Sequence, residues 1–324
     1  MIHDFGPEML TLFGALRLQW FGSFVFVGVI VSAWFASWIA HRQNAGFSQA
    51  LVGSALSWMF IGSLLGGRIG YGLFYDTNMF FRFRPEFPVW GLLAFSEGGL
   101  SWHGAVLGAL VASIFFAHRS GLSQMYILDL TAWVAPLLLF FSRLGSYFSA
   151  ELLGAVSSAP TPIAFKYPAE ILRWPEEVPE KFAQISDLGS AQEIFNRFQA
   201  GDLALQTQVL PLLEFRYPFA LISALAEGLL VFILLFLIWK SSRKPGMVTS
   251  AYLFFTAMAG FAVSTFEWID ASKNPSLLSF SLYQWICLFT ALWALIFYVL
   301  WVRSRSMSIP GWSRGANIRI HRRN

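Results

Sequence analysis

Arg68, His103, Arg143, Glu151, Arg216, Glu227 and Glu267 stand inside or beside long apolar runs of this sequence. A charge at the centre of a membrane helix costs roughly 2.5–3.5 kcal/mol on insertion scales, and such residues usually mark function. Arginine presents a planar fork that takes phosphate oxygens two at a time. Histidine titrates near neutral pH and suits a general base. Two arginines and a histidine at one membrane face therefore fit a phosphate-bearing lipid headgroup with a proton transfer beside it. Each residue also has a plainer reading. Arg68 could anchor a loop, His103 could be a satisfied structural histidine, and Glu227 could be a buried, hydrogen-bonded helix contact.

The elements that carry these residues follow from composition. The chain has 324 residues, 56% hydrophobic and 12% charged, against about a quarter charged in soluble domains. Roughly 20 apolar residues cross a bilayer as a helix. The sequence predicts an all-α polytopic membrane protein with about seven transmembrane helices. The spans lie near residues 20–40, 51–74, 100–117, 125–148, 218–239, 247–268 and 282–302. Together they form one membrane domain, residues 1–302, followed by a basic tail, 303–324. The first run lacks a basic leader and a cleavage site, so no cleaved signal peptide is expected.

Basic residues follow alternate spans: Arg42, then Arg119, then Lys240, Arg243 and Lys244, then the arginine-rich tail. The positive-inside rule places these segments in the cytoplasm and the N-terminus outside. Arg68, Tyr71, His103, Arg143, Glu151, Arg216 and Glu267 are then expected on the outer side, with Glu227 deeper. Asp129 reads as a helix-start residue favoured by the macrodipole. The tail's arginines read as topology and attraction to anionic lipid, not as a nucleic-acid footprint.

The segment 149–217 is the one sizeable external piece. Its prolines predict an irregular first half, and Ala191–Gln199 reads as a short helix. Cys287 lies in an apolar run and reads as a buried, inert thiol. No metal site is expected. No internal repeat is visible, which argues against an inverted-repeat transporter.

The motifs then carry a resemblance. "GGRIGYGLFY" (Gly66–Tyr75), "EGGLSWHGAVLG" (Glu97–Gly108), "SRLGSYFSAELLG" (Ser142–Gly154), "FRYP" (Phe215–Pro218) and "LAEGL" (Leu225–Leu229) occur in this order. In these pieces the chain resembles the prolipoprotein diacylglyceryl transferases, bacterial inner-membrane enzymes of lipoprotein maturation. The resemblance implies transfer of the diacylglyceryl group of phosphatidylglycerol to the lipobox cysteine thiol of preprolipoproteins. The products are a thioether and glycerol phosphate, and no cofactor is needed. It implies an active site toward the outer leaflet, with phosphatidylglycerol, lipobox peptides and membrane lipids as partners. His103, Arg143 and Glu151 take the catalytic positions. Arg143, Arg68, Tyr71, Gly104, Gly154 and Arg216 take headgroup-binding positions, with Glu227 and Glu267 in support.

The chain departs from the family pattern in several places. Ser146 and Ser149 replace asparagines, and Ser142 and Ala150 replace glycines. Phe21 replaces a tyrosine, and Tyr217 a histidine. Ile222–Ser223 stand where the family has Tyr-Glu. The sixth-span Arg-x-x-x-Glu-x-x-Arg motif is missing: Ala262 and Phe266 hold its first two charged positions, with Glu267 one residue later. A one-position shift turns a side chain about 100° around a helix. A homologue that binds phospholipid or lipoprotein without catalysis is the alternative reading, and a small transporter a third.

Overall fold

The computed structural model describes the chain except residues 1, 4, 7, 13–15, 43–48, 84–89, 95–98, 100, 158–160, 242–243, 268–275, 278–279 and 304–324. The basic tail beyond Arg303 thus lies outside the described residues. A short hairpin, β1 (Glu8–Leu12) with β2 (Leu16–Gln19), precedes α1 (Trp20–Arg42). Then come α2 (Gln49–Phe74), α3 (Trp102–Ser120) and α4 (Gln124–Phe148). After the segment 149–217, α9 (Phe219–Ser223) runs through a π-helical stretch, Ala224–Leu230, into α10 (Val231–Ser241). α11 (Met247–Val263) and α12 (Leu282–Phe297) complete the apolar helices, with the minimal hairpin β3 (Ser276–Leu277) and β4 (Phe280–Ser281) before α12.

Six of the helical stretches are long and apolar enough to cross a membrane; the seventh, Gly104–Ser120 within α3, is apolar but shorter. The all-α polytopic architecture expected from hydropathy is therefore present. Among the described residues, only the two small hairpins and isolated bridges add strand structure.

The irregular stretch expected of the segment 149–217 is present over the described residues of 149–167, which hold only turns, a bend and isolated bridges, but short helical turns follow before the segment's midpoint. A 3₁₀ turn at Pro168–Arg173 leads into α5 (Trp174–Glu177) and α6 (Pro179–Ala183), each with proline in its first turn. Proline has no N–H to lose there and its φ is already helical, so it starts short helices as readily as it ends long ones. The predicted helix is present as α7 (Ala191–Gln199). A capping box, in which Ser190 and Glu193 satisfy each other's backbone N–H groups, fixes its start. α8 (Leu203–Val209) follows, capped by Asp202. Ile171, Trp174, Ile185, Ile194, Phe198, Leu205, Val209 and Leu213 form a closed apolar cluster. The segment thus has a core of its own.

The chain divides into two compact units. The first comprises residues 1–31, 136–234 and 253–294; the second comprises 32–135, 235–252 and 295–324. In the second, α2 and α3 pack through glycines. Gly62, Gly66 and Gly70 recur every fourth residue and so share a helix face. A Cβ on Gly66 would lie 2.4 Å from the Gly104 carbonyl oxygen, and one on Gly104 2.3 Å from that of Gly66. The helices meet backbone to backbone, as small-residue motifs allow in membranes.

Asp129 does not serve the start of its own helix. It is fully buried, and its carboxylate accepts from the N–H of Gly246 (2.8 Å) and from the N–H and hydroxyl of Thr249 (2.9 and 2.7 Å). It caps α11 from another helix, satisfying donors that any helix N-terminus leaves open.

Candidate active site

In the first unit, the arrangement around Arg143 begins with how α4 is seated. A Cβ on Gly228 would come within 2.6 Å of Phe140 Cβ, so the π-helical stretch presses directly on α4. Arg143 lies three residues beyond Phe140, about one turn on, and Glu227 precedes Gly228. The contact therefore sets the arginine against the carboxylate. Arg143 Nη2 stands 3.7 Å from Glu227 Oε2, and the guanidinium lies 5.8 Å from the Phe219 ring centroid. That separation is an ion pair but too long for a hydrogen bond. Nε of Arg143 is buried and has no hydrogen-bond partner among the described residues.

Glu227 is 4% exposed. Oε2 accepts from the Ser223 hydroxyl one turn earlier, and Oε1 from the Tyr283 hydroxyl of α12 at 3.3 Å. Gly260 of α11 leaves the room: a Cβ there would sit 2.7 Å from the Tyr283 hydroxyl and 2.9 Å from Glu227 Oε1. Cys287 is buried at the edge of this cluster, 3.4 Å from the same Cβ position. The π turn was not anticipated from sequence, nor were Ser223, Gly260 and Tyr283 as members of the cluster. A period-breaking turn leaves no mark in an all-apolar helix, but such turns recur at functional sites.

Glu267 belongs to the same group. α11 ends at Val263, a 3₁₀ turn covers Ser264–Phe266, and Glu267 is extended. The expected 100° offset around a helix therefore does not apply, because the chain has left the helix before Glu267. Glu267 lies just beyond the apolar stretch, which ends at Phe266. Burial raises its carboxyl above the usual range; the positive charge of Arg143 opposes this and the negative charge of Glu227 adds to it.

Glu267 also pairs in antiparallel fashion with Gly154. In that pairing Ala155 N–H donates to the Phe266 carbonyl at 2.8 Å, while Tyr217 N–H donates to the Ala155 carbonyl at 3.1 Å. A Cβ at Gly154 would lie 2.0 Å from the Tyr217 carbonyl oxygen. Only glycine fits between these two strands. The close approach expected at Gly154 and Gly104 is thus used, in both cases, against the protein's own backbone.

Arg216 is buried in this ribbon. It donates to both oxygens of Glu170 (2.8 and 3.1 Å) and to the Gly154 carbonyl (3.2 Å). Glu151 follows Ala150, whose φ of +53° makes it the one described non-glycine residue in the left-handed region. Arg173 donates to the Glu151 carbonyl. Partial burial raises the Glu151 carboxyl, opposed by the Ser149 hydroxyl and the Arg173 charge.

The second unit holds Arg68, Tyr71, His103 and Gly104. Arg68 is 3% exposed and donates to the carbonyls of Gly91, Leu92, Ala94 and Gly99 at 2.8–3.0 Å. Tyr71 packs its ring where a Cβ of Gly99 would be; the φ of +79° at Gly99 already demands glycine. His103 is the second residue of α3, which Ser101 caps through the Gly104 N–H; its side chain lies outside the described residues.

An α-helical polytopic membrane protein with an arginine–carboxylate cluster at a helix break is the class these features define. The family description of prolipoprotein diacylglyceryl transferase matches residues 7–300, and the chain belongs to that family. It is 32% identical to the phosphatidylglycerol–prolipoprotein diacylglyceryl transferase of Bdellovibrio bacteriovorus over the whole of both chains. It is 28% identical to that of Rhodospirillum rubrum, over 94% of this chain and 95% of the relative. The Sodalis glossinidius protein of the same name is 32% identical over 83% of each.

Proposed function

We propose that this chain transfers the diacylglyceryl group of phosphatidylglycerol to the lipobox cysteine thiol of preprolipoproteins. The bond between the glyceryl carbon and the phosphate oxygen breaks, and a carbon–sulfur bond forms. The phosphate keeps the electron pair and leaves as glycerol phosphate, while the thiol proton passes to a base. The observation that carries this reading is the buried Nε of Arg143, without a hydrogen-bond partner among the described residues and beside Glu227. A guanidinium with donors to spare suits a phosphate whose charge grows as the bond breaks.

In this reading Arg143 holds the phosphate, and Glu227 and Glu267 keep the guanidinium oriented. His103 takes the thiol proton or orients the group that does, since the thiolate is the nucleophile. Glu151 orients an arginine or the headgroup glycerol. Arg216 and Arg68, which already donate to protein acceptors, shape the Gly154 ribbon and the backbone at Gly91, Leu92, Ala94 and Gly99 as the headgroup's surroundings. Tyr71, Gly104 and Gly154 complete those surroundings. The active site faces the outer leaflet of the bacterial inner membrane, with the N-terminus outside and the tail in the cytoplasm. Residues 149–217 present or cover the lipobox peptide.

The test is purified protein in phosphatidylglycerol vesicles with a lipobox peptide, read by peptide mass. Wild-type protein adds one diacylglyceryl group and Arg143→Ala adds none; full transfer by the variant overturns the assignment. Ser146 and Ser149 at asparagine positions favour a second reading, lipid binding without transfer. Phosphatidylglycerol binding by wild-type protein with no mass gain would select it.

A further inference from the structure

We infer that Tyr283 is a positioning residue that, with Ser223, keeps Glu227 from closing on Arg143 and so holds the arginine open for a phosphate. This rests on Arg143 as the phosphate ligand. The geometry is specific. The two oxygens of Glu227 are each occupied by a neutral hydroxyl, Ser223 on Oε2 and Tyr283 on Oε1. The arginine is left at 3.7 Å from Oε2, well beyond the 2.7–2.9 Å of a charge-assisted hydrogen bond. Its Nε is buried without a partner among the described residues, a condition that costs free energy unless a ligand relieves it.

Both hydroxyls are held in place. Ser223 lies four residues before Glu227 and is fully buried. Tyr283 reaches Glu227 from the second residue of α12, and only the absence of a side chain on Gly260 gives its hydroxyl space. A carboxylate whose lone pairs are shared between two hydroxyls attracts a third donor less strongly than a free one. Removing the tyrosine hydroxyl frees Oε1 for a bidentate grip on Arg143, which then competes with the incoming phosphate.

The consequence is a substrate-affinity effect that depends on the charge of Glu227. Tyr283→Phe is expected to raise KM for phosphatidylglycerol about 5–10-fold while kcat stays within about 2-fold, since ground-state and transition-state contacts to the phosphate weaken together. Gly260→Ala, which crowds the hydroxyl, is expected to move KM in the same direction. In a Glu227→Gln background the competing charge is gone, and Tyr283→Phe should change affinity less than about 2-fold. A merely structural role for the tyrosine would lower kcat or stability in both backgrounds alike.

Affinity is also measured without turnover, as protection of detergent-purified protein against thermal unfolding by added phosphatidylglycerol. This covers any background that proves inactive. An unchanged lipid affinity in Tyr283→Phe, or the same loss in the Glu227→Gln background as in the wild-type background, overturns the inference. Protection by lipid that obeys the expected pattern in a protein without transfer activity would uphold the inference and reject the transferase reading. Loss of lipid protection with neither Tyr283 nor Arg143 intact, but not with Arg143→Ala alone, would overturn both.

Discussion

The buried guanidinium of Arg216 meets the carboxylate of Glu170 through two hydrogen bonds, 2.8 and 3.1 Å long, and both side chains are 4% exposed. Its third contact, to the Gly154 carbonyl, ties this pair to the ribbon that carries Glu267. Removing one member of a buried pair costs up to about 3–5 kcal/mol, the lower end being expected for Glu170 because Glu214 also stands 3.5 Å from Arg216, whereas replacing both by apolar residues can be nearly neutral. Glu170→Ala is therefore expected to lower the thermal midpoint of the detergent-purified protein sharply. The double variant Glu170→Met with Arg216→Met should recover most of the loss. Equal midpoints for the single and double variants would contradict this account.

Ala150 occupies the left-handed region where the chain leaves α4. An L-residue there costs roughly 1–2 kcal/mol, but glycine would forfeit a buried methyl worth about 0.8 kcal/mol. The two nearly balance. Ala150→Gly is expected to leave stability unchanged or slightly raised, within about 1 kcal/mol. Ala150→Val, with a branched Cβ at positive φ, should lose about 2 kcal/mol or more. Unfolding midpoints of the two variants check the contrast.

Asp129 supplies the N-terminal acceptors of α11. Asp129→Ala removes a cap, worth about 0.5–2 kcal/mol, and leaves buried donors open at about 1–3 kcal/mol. A net loss of about 2–4 kcal/mol is expected, with Asp129→Asn intermediate because an amide offers one acceptor oxygen. Faster amide exchange at residues 246–249 in the alanine variant is the local readout.

His3 gives a pH signature. Its ring packs against Tyr147, Tyr167 and Phe5, and its backbone N–H donates to the Lys166 carbonyl at 2.9 Å. Burial lowers the imidazole from 6.5 to about 4, against two backbone contacts that raise it. The unfolded chain then binds more protons than the folded one between these values. Stability is expected to be full above pH 6.5 and to fall progressively as pH drops toward 4. His3→Phe should remove that part of the acid sensitivity. Parallel pH profiles for the two proteins between about pH 7 and pH 4 would contradict the prediction.

Hydropathy alone located the apolar helices, because burial in lipid demands runs of apolar residues of fixed length and leaves a direct trace in composition. The rarity of charges in or beside such runs likewise singled out Arg143, Glu227 and Glu267. The sequence by itself did not determine which charge meets which. Arg216 pairs with Glu170 from 46 residues away, and Asp129 caps a helix that begins 118 residues later. Arg68 spends its donors on the backbone carbonyls of Gly91, Leu92 and Ala94, which no motif marks, and on that of Gly99. Only tertiary structure decides these partners, because each lies tens of residues or more away along the chain. The same holds at the centre of the site. The press of Gly228 on Phe140 and the gap at Gly260 bring Arg143, Glu227 and Tyr283 together, and those distances arise from packing that no local pattern encodes.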